Sequence, residues 1–474
     1  RESRLTKLGM TADRIREMPG VTSWRGARLV CPRHRRSPHR RVSCLALAWL
    51  QVRVAALTTV LVCCASEAGD TDTVITFPAS AVGAEAQLLA RQLERFMLEH
   101  PGIRIEPRKT PDAADQRHQL YVQWLNAGAG DPDILQLDVI WTPEFAAAGW
   151  ILPLDDFEPD IQNFFPATVA ANRWAGELFA LPWFVDVGML YWRTDLFERP
   201  PATFNELARQ AARARSEAGL PFGFVWQGAR YEGLVTVFLE HLGGFGGRIM
   251  DDAGRIVVDS DAALRALSYM VEQIHQAGNV PEAVLTWQEE QTRFAFQNGQ
   301  AAFMRNWPYA YPLMQDSSES RVAGRFAVAP MPAADGAGTP TAALGGSQLA
   351  INVNTEHPAA AYAVIEYLTR PQQMLERARV VGQYPTRPNL YDEQALADAL
   401  AVPPAQARRI IESAVPRPVT PLYTQLSEIL QIHLHRALTL QQPPAEALRR
   451  AAREMRELLE KVGLSPGASG GAGD

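Results

Sequence analysis

The stretch Leu178–Phe197, LFALPWFVDVGMLYWRTDLF, is apolar for most of its length and carries one isolated acid in its interior, Asp186. Its apolar residues follow no helical period, which is the character of extended chain covered on both faces. A strand that leaves one folded unit and enters another reads this way. The stretch therefore predicts two units joined by a shared crossing.

Upstream of it the sequence alternates. Thr73–Ala79 is β-branched and short, and reads as a strand. In Glu85–His100 the residues Leu88, Leu89, Leu93, Phe96 and Met97 recur on a helical period. His100-Pro101-Gly102 ends that helix, and Ile103–Arg108, Asp115–Asn126 and Asp133–Ile140 follow as strand, helix and strand. Repetition at this spacing predicts a largely parallel sheet with helices on its faces, and ligands of such sheets bind beyond the carboxyl ends of the strands. That rule places Asp138, Trp141 and Glu144 at a cleft edge.

Downstream, a second alternating region has helices at Phe204–Ala218, Tyr231–Leu242 and Ala262–His275 and a strand at Phe222–Trp226. Phe326–Pro332 and Thr341–Asn352 read as strands, and most of Pro358–Val462 as helix. Pro403-Pro404 and Pro443-Pro444 each open a new helix, since proline is tolerated in a first turn.

The chain has 474 residues, 46 Lys+Arg against 52 Asp+Glu, and 47% hydrophobic residues. That suffices for two cored domains and excludes a disordered tail, a coiled coil and a multi-span membrane protein. Residues 33–42 are basic, an apolar run extends from Val42 to Cys64, and small residues follow, the order of a secretory signal. Residues 1–68 are accordingly set apart as a signal and upstream segment, removed or unstructured. Cleavage near Ala68 and acylation at Cys63 or Cys64 are both open. The remainder keeps 33 of the basic and 48 of the acidic residues, a net of −15. An acidic exported domain has no electrostatic footprint for nucleic acid or anionic lipid. All four cysteines lie before residue 69, so the domain has no cysteine metal site or thiol nucleophile.

Nucleophile elbow, HExxH, phosphate-loop lysine and SxxK signatures are absent. His433 and His435 lie two apart on a predicted helix, so they face different ways and read as surface residues. No cofactor is expected. What recurs instead is an aromatic ring beside a lone polar residue: Asp138…Trp141, Phe184-Val-Asp186, Trp226-Gln227, Arg305-Asn306-Trp307-Pro308-Tyr309 and Tyr384-Pro-Thr-Arg387. Carbohydrates present an apolar C–H face and a rim of hydroxyls, and such a site needs flat rings plus carboxylates, amides and guanidinium groups.

These segments, with DPDILQLDVIWTPEFAAAGWILPLDDF (131–157), FGFVWQGARYEGL (222–234), MRNWPYAY (304–311), ALGGSQLAIN (343–352) and AVPRPVTPLYTQLSEI (414–429), resemble the extracellular solute-binding family of ABC importers. That family includes maltose-binding protein, and the likeness is to its trehalose/maltose-binding members. The resemblance implies a type II periplasmic-binding-protein fold with mixed sheets. One lobe would comprise residues 69–186 and 325–370, the other 187–324 and 371–462, with a flexible tail at 463–474. Crossings are expected near Val185–Gly188, Arg325 and Thr369–Pro371. The ligand set it implies is Glu85, Gln123, Asp138, Phe184, Asp186, Trp307, Tyr309, Gly346 and Arg387, to which the cleft position of Trp141 and the departure at Ser347 add two more. Relatives often carry Trp where Ser347 stands and Tyr where Phe184 stands, so one stacking plate and one hydroxyl are missing here. The implied function is capture of a disaccharide of the trehalose, maltose or sucrose type by a monomer, with delivery to membrane permease subunits. The alternatives are an exported glycosidase using two of Asp138, Glu144 and Asp186, and a sugar sensor for a membrane receptor.

Overall fold

The computed structural model describes residues 73–79, 85–111, 114–336, 338–400 and 402–464. The readings of residues 1–68, and of the tail beyond Leu464, lie outside these residues.

The first lobe begins with β1 (Thr73–Ala79), α1 (Glu85–Glu99), β2 (Ile103–Lys109), α2 (Ala114–Asn126) and β3 (Ile134–Asp138). Strand β1 runs parallel to β2, and α1 lays Leu88, Leu89, Leu93 and Phe96 into the core beneath them. Next comes β4 (Ala180–Val187), then Gly188, then β5 (Met189–Arg193), which already belongs to the second lobe. The stretch Leu178–Phe197 is thus the crossing its composition announces, with every residue from Leu178 to Arg193 buried except Asp186, which is half-buried.

The second lobe contains α3 (Phe204–Glu217), β6 (Phe222–Val225), α4 (Glu232–Gly244), α5 (Asp261–His275), α6 (Glu289–Gln297), β7 (Ala301–Asn306) and β8 (Phe326–Ala329). Its sheet has the order β8-β5-β7-β6. Strand β9 (Leu344–Ile351) returns to the first lobe between β3 and β4, antiparallel to both. Helices α7 (Pro358–Leu368) and α8 (Pro371–Val381) follow, then α9 (Pro404–Ser413), α10 (Tyr423–Leu438) and α11 (Pro444–Lys461).

The structure departs from the sequence reading in particular places. The sheets are mixed, as the resemblance implies, rather than largely parallel as the strand–helix alternation alone suggests, because β9 enters from the opposite lobe and pairs antiparallel with β3 and β4. The strand Phe326–Ala329 pairs with β5, so the second crossing is the segment 330–343, beyond Arg325. Helix α8 packs on both lobes: Gln92 donates to the Gln373 carbonyl at 3.1 Å, while Ala378 is buried in the second-lobe core. Met374 and Leu390 pack on Phe164, whereas Tyr384 and Tyr391 join the second-lobe core, so the chain after Pro371 lies against both lobes. His433 is also no surface residue. It is buried, with Nε2 3.2 Å from Glu454.

Candidate ligand-binding groove

A groove of about 630 Å³ lies between the lobes, its described lining drawn from β3, β4 and β9 on one side and from α4, α6 and the segment after β7 on the other. Strand register builds the first wall. Asp138 stands opposite Ser347, Ser347 opposite Phe184, and Gly345 opposite Asp186. Alternation along a strand then puts Gln136 with Asp138, and Phe184 with Asp186, on one face. At Gly346 the backbone has φ +124, a region that L side chains rarely adopt, and the register shifts just after it. A methyl group there would fall on the Phe184 carbonyl oxygen and 2.9 Å from Val185 Cα. Gly346→Ala is therefore expected to cost about 1–3 kcal/mol in urea unfolding, and an unchanged midpoint would show that β9 can slide away from β4.

Glu85 opens α1 and is fixed by Arg377, whose Nη2 donates to it at 2.6 Å. Arg377 lies 3.9 Å from the Trp183 ring centroid, buried at the back of the wall. Asp138 accepts from Arg417 Nη2 at 3.0 Å, and Arg417 Nη1 donates to Glu232 at 2.8 Å. Arg417 thus joins a first-lobe strand end to the N-terminus of α4 in the second lobe. Burial raises the Glu232 carboxyl above its ordinary range, opposed by Arg417 and by the hydroxyls of Ser427 and Tyr423. Burial also works against the Arg417 charge, but Asp138 and Glu232 outweigh it and hold the guanidinium protonated.

Trp307 follows β7, half-buried, its ring 3.8 Å from the Arg305 guanidinium carbon. Tyr191 OH donates to the Trp307 carbonyl at 2.7 Å, and Tyr309 OH to Glu290 at 2.7 Å. The groove therefore carries rings and carboxylates on both walls, with Trp307, Tyr309, Glu289 and Glu290 facing Phe184, Asp138, Asp186, Gln136 and Ser347.

Of the eleven residues singled out in the sequence, the structure brings Glu85, Asp138, Phe184, Asp186, Trp307, Tyr309, Gly346 and Ser347 to this groove. Three lie elsewhere. Gln123 sits on the exposed side of α2, whose groove end is Asp115–Arg117; eight residues along a helix carry it about 12 Å away. Trp141 is buried in the first-lobe core, stacked on Phe145 with 6.2 Å between ring centroids, because the chain after Asp138 turns inward under α2. Arg387 donates to the Thr369 carbonyl at 3.0 Å and lies 4.2 Å over Phe164, tying the end of α7 to the first lobe. Among the described residues, three other arginines line the groove instead, Arg117, Arg230 and Arg417. Arg417 stands in Pro416-Arg417-Pro418, inside a segment that carries the family resemblance but pairs no aromatic ring with a lone acid.

Asp186 is strongly perturbed. Burial first, then Glu85 and Asp138, push its carboxyl up to about 7 against the pull of Arg377 and Arg305. Its buried Oδ1 has no hydrogen-bond partner. Since the folded value lies above the ordinary 3.8, the folded chain retains a proton there that the unfolded chain has released. The stability from this group is full below that ordinary value and is lost as pH rises through the folded one. Glu232 and Glu240 shift in the same direction, so the readout is a difference. Asp186→Asn should flatten the fall in unfolding free energy between about pH 4 and 7 relative to wild type. Parallel slopes would mean that Asp186 is ionised throughout.

Among the described residues no group of three or more His, Cys, Asp or Glu could hold a metal ion, and no helix is long and apolar enough to cross a membrane.

Residues 80–375 match the family model described as bacterial extracellular solute-binding protein, and the chain belongs to that family. A probable ABC transporter-binding protein of Deinococcus radiodurans is 37% identical over 356 residues, 72% of this chain and 83% of that one. Among solved structures, maltose-bound MalE3 of T. maritima is 41% identical with a TM-score of 0.77, covering 82% of this chain and all of the other. A Thermotoga lettingae solute-binding protein bound with α-D-tagatose, at 24% identity and a TM-score of 0.73, shares the fold. The architecture is that of the type II periplasmic binding proteins. Proteins of this family bind substrates and are not enzymes, which overturns the glycosidase alternative. The geometry agrees: Glu144 is engaged by Thr424 Oγ1 at 2.7 Å and His118 Nε2 at 3.0 Å, and Asp138 by Arg417.

Proposed function

We propose that the protein is the substrate-binding component of an ABC sugar importer. It captures a disaccharide of the maltose, trehalose or sucrose type in the groove and delivers it to membrane permease subunits. The observation that carries this reading is the meeting, in one groove, of the Trp307 ring with the Asp186 carboxyl, whose buried Oδ1 has no hydrogen-bond partner. The 41% identity to a protein solved with maltose supports the ligand class. The sugar's C–H face stacks on Trp307 and Tyr309, and its hydroxyls meet Glu85, Asp138, Asp186, Ser347 and the backbone at Gly346, while Phe184 lines the wall.

Because the two walls belong to different lobes, a sugar touches both only when they are closed. Inverting a 1:99 equilibrium needs about 10⁴-fold tighter binding to the closed form, roughly 5.5 kcal/mol. Two or three charge-assisted hydrogen bonds at about 1.5–3 kcal/mol each are of that size. The order of basic flank, apolar run and small residues before residue 69 supports export, with residence in the periplasm or attachment to the outer membrane face through Cys63 or Cys64.

Thermal-shift titration with maltose, trehalose, sucrose and glucose tests the reading. At least one disaccharide should stabilise the protein by about 2.7 kcal/mol at 100 times its dissociation constant, and be recovered unhydrolysed. No shift with any of the four would remove the proposal.

A further inference from the structure

Behind the groove lies a buried ion pair that the sugar cannot touch. Glu240 on α4 and Arg305 on β7 both have side chains with no solvent exposure. Arg305 Nε donates to Glu240 Oε2 at 2.8 Å, and Nη2 donates to Oε1. Gln227 completes the cage: Arg305 Nη1 donates to its Oε1 at 3.1 Å, and its Nε2 donates to the Arg305 carbonyl at 3.1 Å. A pair buried this deeply is weak evidence for stability, since apolar residues of similar volume often serve as well. What it touches is more informative.

On one side the Arg305 guanidinium lies 3.8 Å from the Trp307 ring centroid, so the back of the ring is covered and the ring cannot tilt away from the groove. On the other side the pair presses on both lobe crossings nearest the groove. Gly188 joins β4 to β5, and a methyl group there would fall on Glu240 Oε1 and 2.6 Å from Arg305 Nη2. The amide of Ala343, the last residue before β9, points at Glu240 Oε1 at 3.4 Å, and Gly188 N donates to the Ala343 carbonyl at 3.4 Å. One rigid charged group therefore contacts the ring and both crossing strands.

We propose that Glu240 and Arg305 are positioning residues that couple Trp307 to the crossings, so that stacking of a ligand on this ring and rotation of the lobes occur as one event. This rests on the reading that Trp307 holds the sugar. Rotation about Gly188 and Ala343 shifts the strands against Glu240. The bidentate fork passes that shift to Arg305 and hence to the plane of Trp307.

The test uses the full chain, Glu240→Gln, and the double variant Glu240→Gln with Arg305→Met, which leaves no unpaired buried charge. Maltose binding by calorimetry and amide hydrogen exchange without ligand are both read. Glu240→Gln should lower the melting temperature and weaken maltose binding about tenfold. The double variant should recover the melting temperature but not the affinity. In both variants exchange should quicken together at Gly188, at Ala343 and at Trp307, whose amide donates to Asn306 Oδ1 at 2.9 Å. A double variant that binds maltose as wild type does, or exchange that quickens at the crossings alone, overturns the coupling. Should the wild-type protein take none of maltose, trehalose and sucrose, the functional reading fails and the exchange pattern still decides the coupling; should it take one of the others, that sugar replaces maltose in the titration.

Discussion

Trp307→Ala is expected to weaken disaccharide binding about 30- to 150-fold, corresponding to about 2–3 kcal/mol, with a melting temperature close to wild type. The ring is half-buried and faces the groove, so its removal leaves no enclosed cavity; the loss falls on the ligand. A large flat side chain supplies contact area at low entropic cost, and its π face suits the C–H face of a sugar. The alanine variant also uncovers the Arg305 guanidinium that backs the ring, placing a cation where the apolar face of the sugar would lie. Trp307→Phe keeps a plate of smaller area and should retain affinity to within about tenfold of wild type. Isothermal titration with the disaccharide that gives the largest thermal shift measures both variants. Equal affinity in wild type and Trp307→Ala would move the ligand away from this end of the groove.

Periodicity carried most of the fold because burial in each lobe is one-sided: α1, α3 and α5 show in the sequence the same apolar stripe that the structure buries. Strand direction was not legible. The sequence of β9 is continuous apolar chain whether it pairs parallel or antiparallel, and only its arrival from the other lobe decides the matter. The second crossing lies later than expected for a related reason. Phe326–Ala329 carries no mark of the lobe it packs on, and Arg377 reveals its place only once Glu85 lies beside it. In the groove the acids were legible because isolated carboxylates in apolar runs need a purpose. Their arginines were not, because an arginine reads as surface until its partners are known. Trp141 shows the converse. An aromatic beside an acid at a strand end fits a site and a core equally well, and one turn of chain sent it to the core.

Arg417→Leu should destabilise the protein by about 3–5 kcal/mol, the cost of stranding a buried charge whose partner is removed. Arg417 is buried, and its guanidinium bridges Asp138 and Glu232. Leucine fills much of the space of the stem but leaves Glu232 with only the hydroxyls of Tyr423 and Ser427. Desolvation already raises the Glu232 carboxyl with the arginine in place, so without it the folded chain should take up a proton there at higher pH. The deficit should accordingly grow as pH rises, since the folded state then binds more protons than the unfolded one. Adding Glu232→Gln to Arg417→Leu removes the stranded charge and should return most of the lost stability and the excess pH slope, while Asp138 stays unclamped and sugar affinity stays low. Urea unfolding at pH 5 and pH 8 separates these effects. A loss below about 1 kcal/mol in the single variant at both pH values would mean that water reaches Glu232, and that the bridge between the lobes behaves as a surface pair.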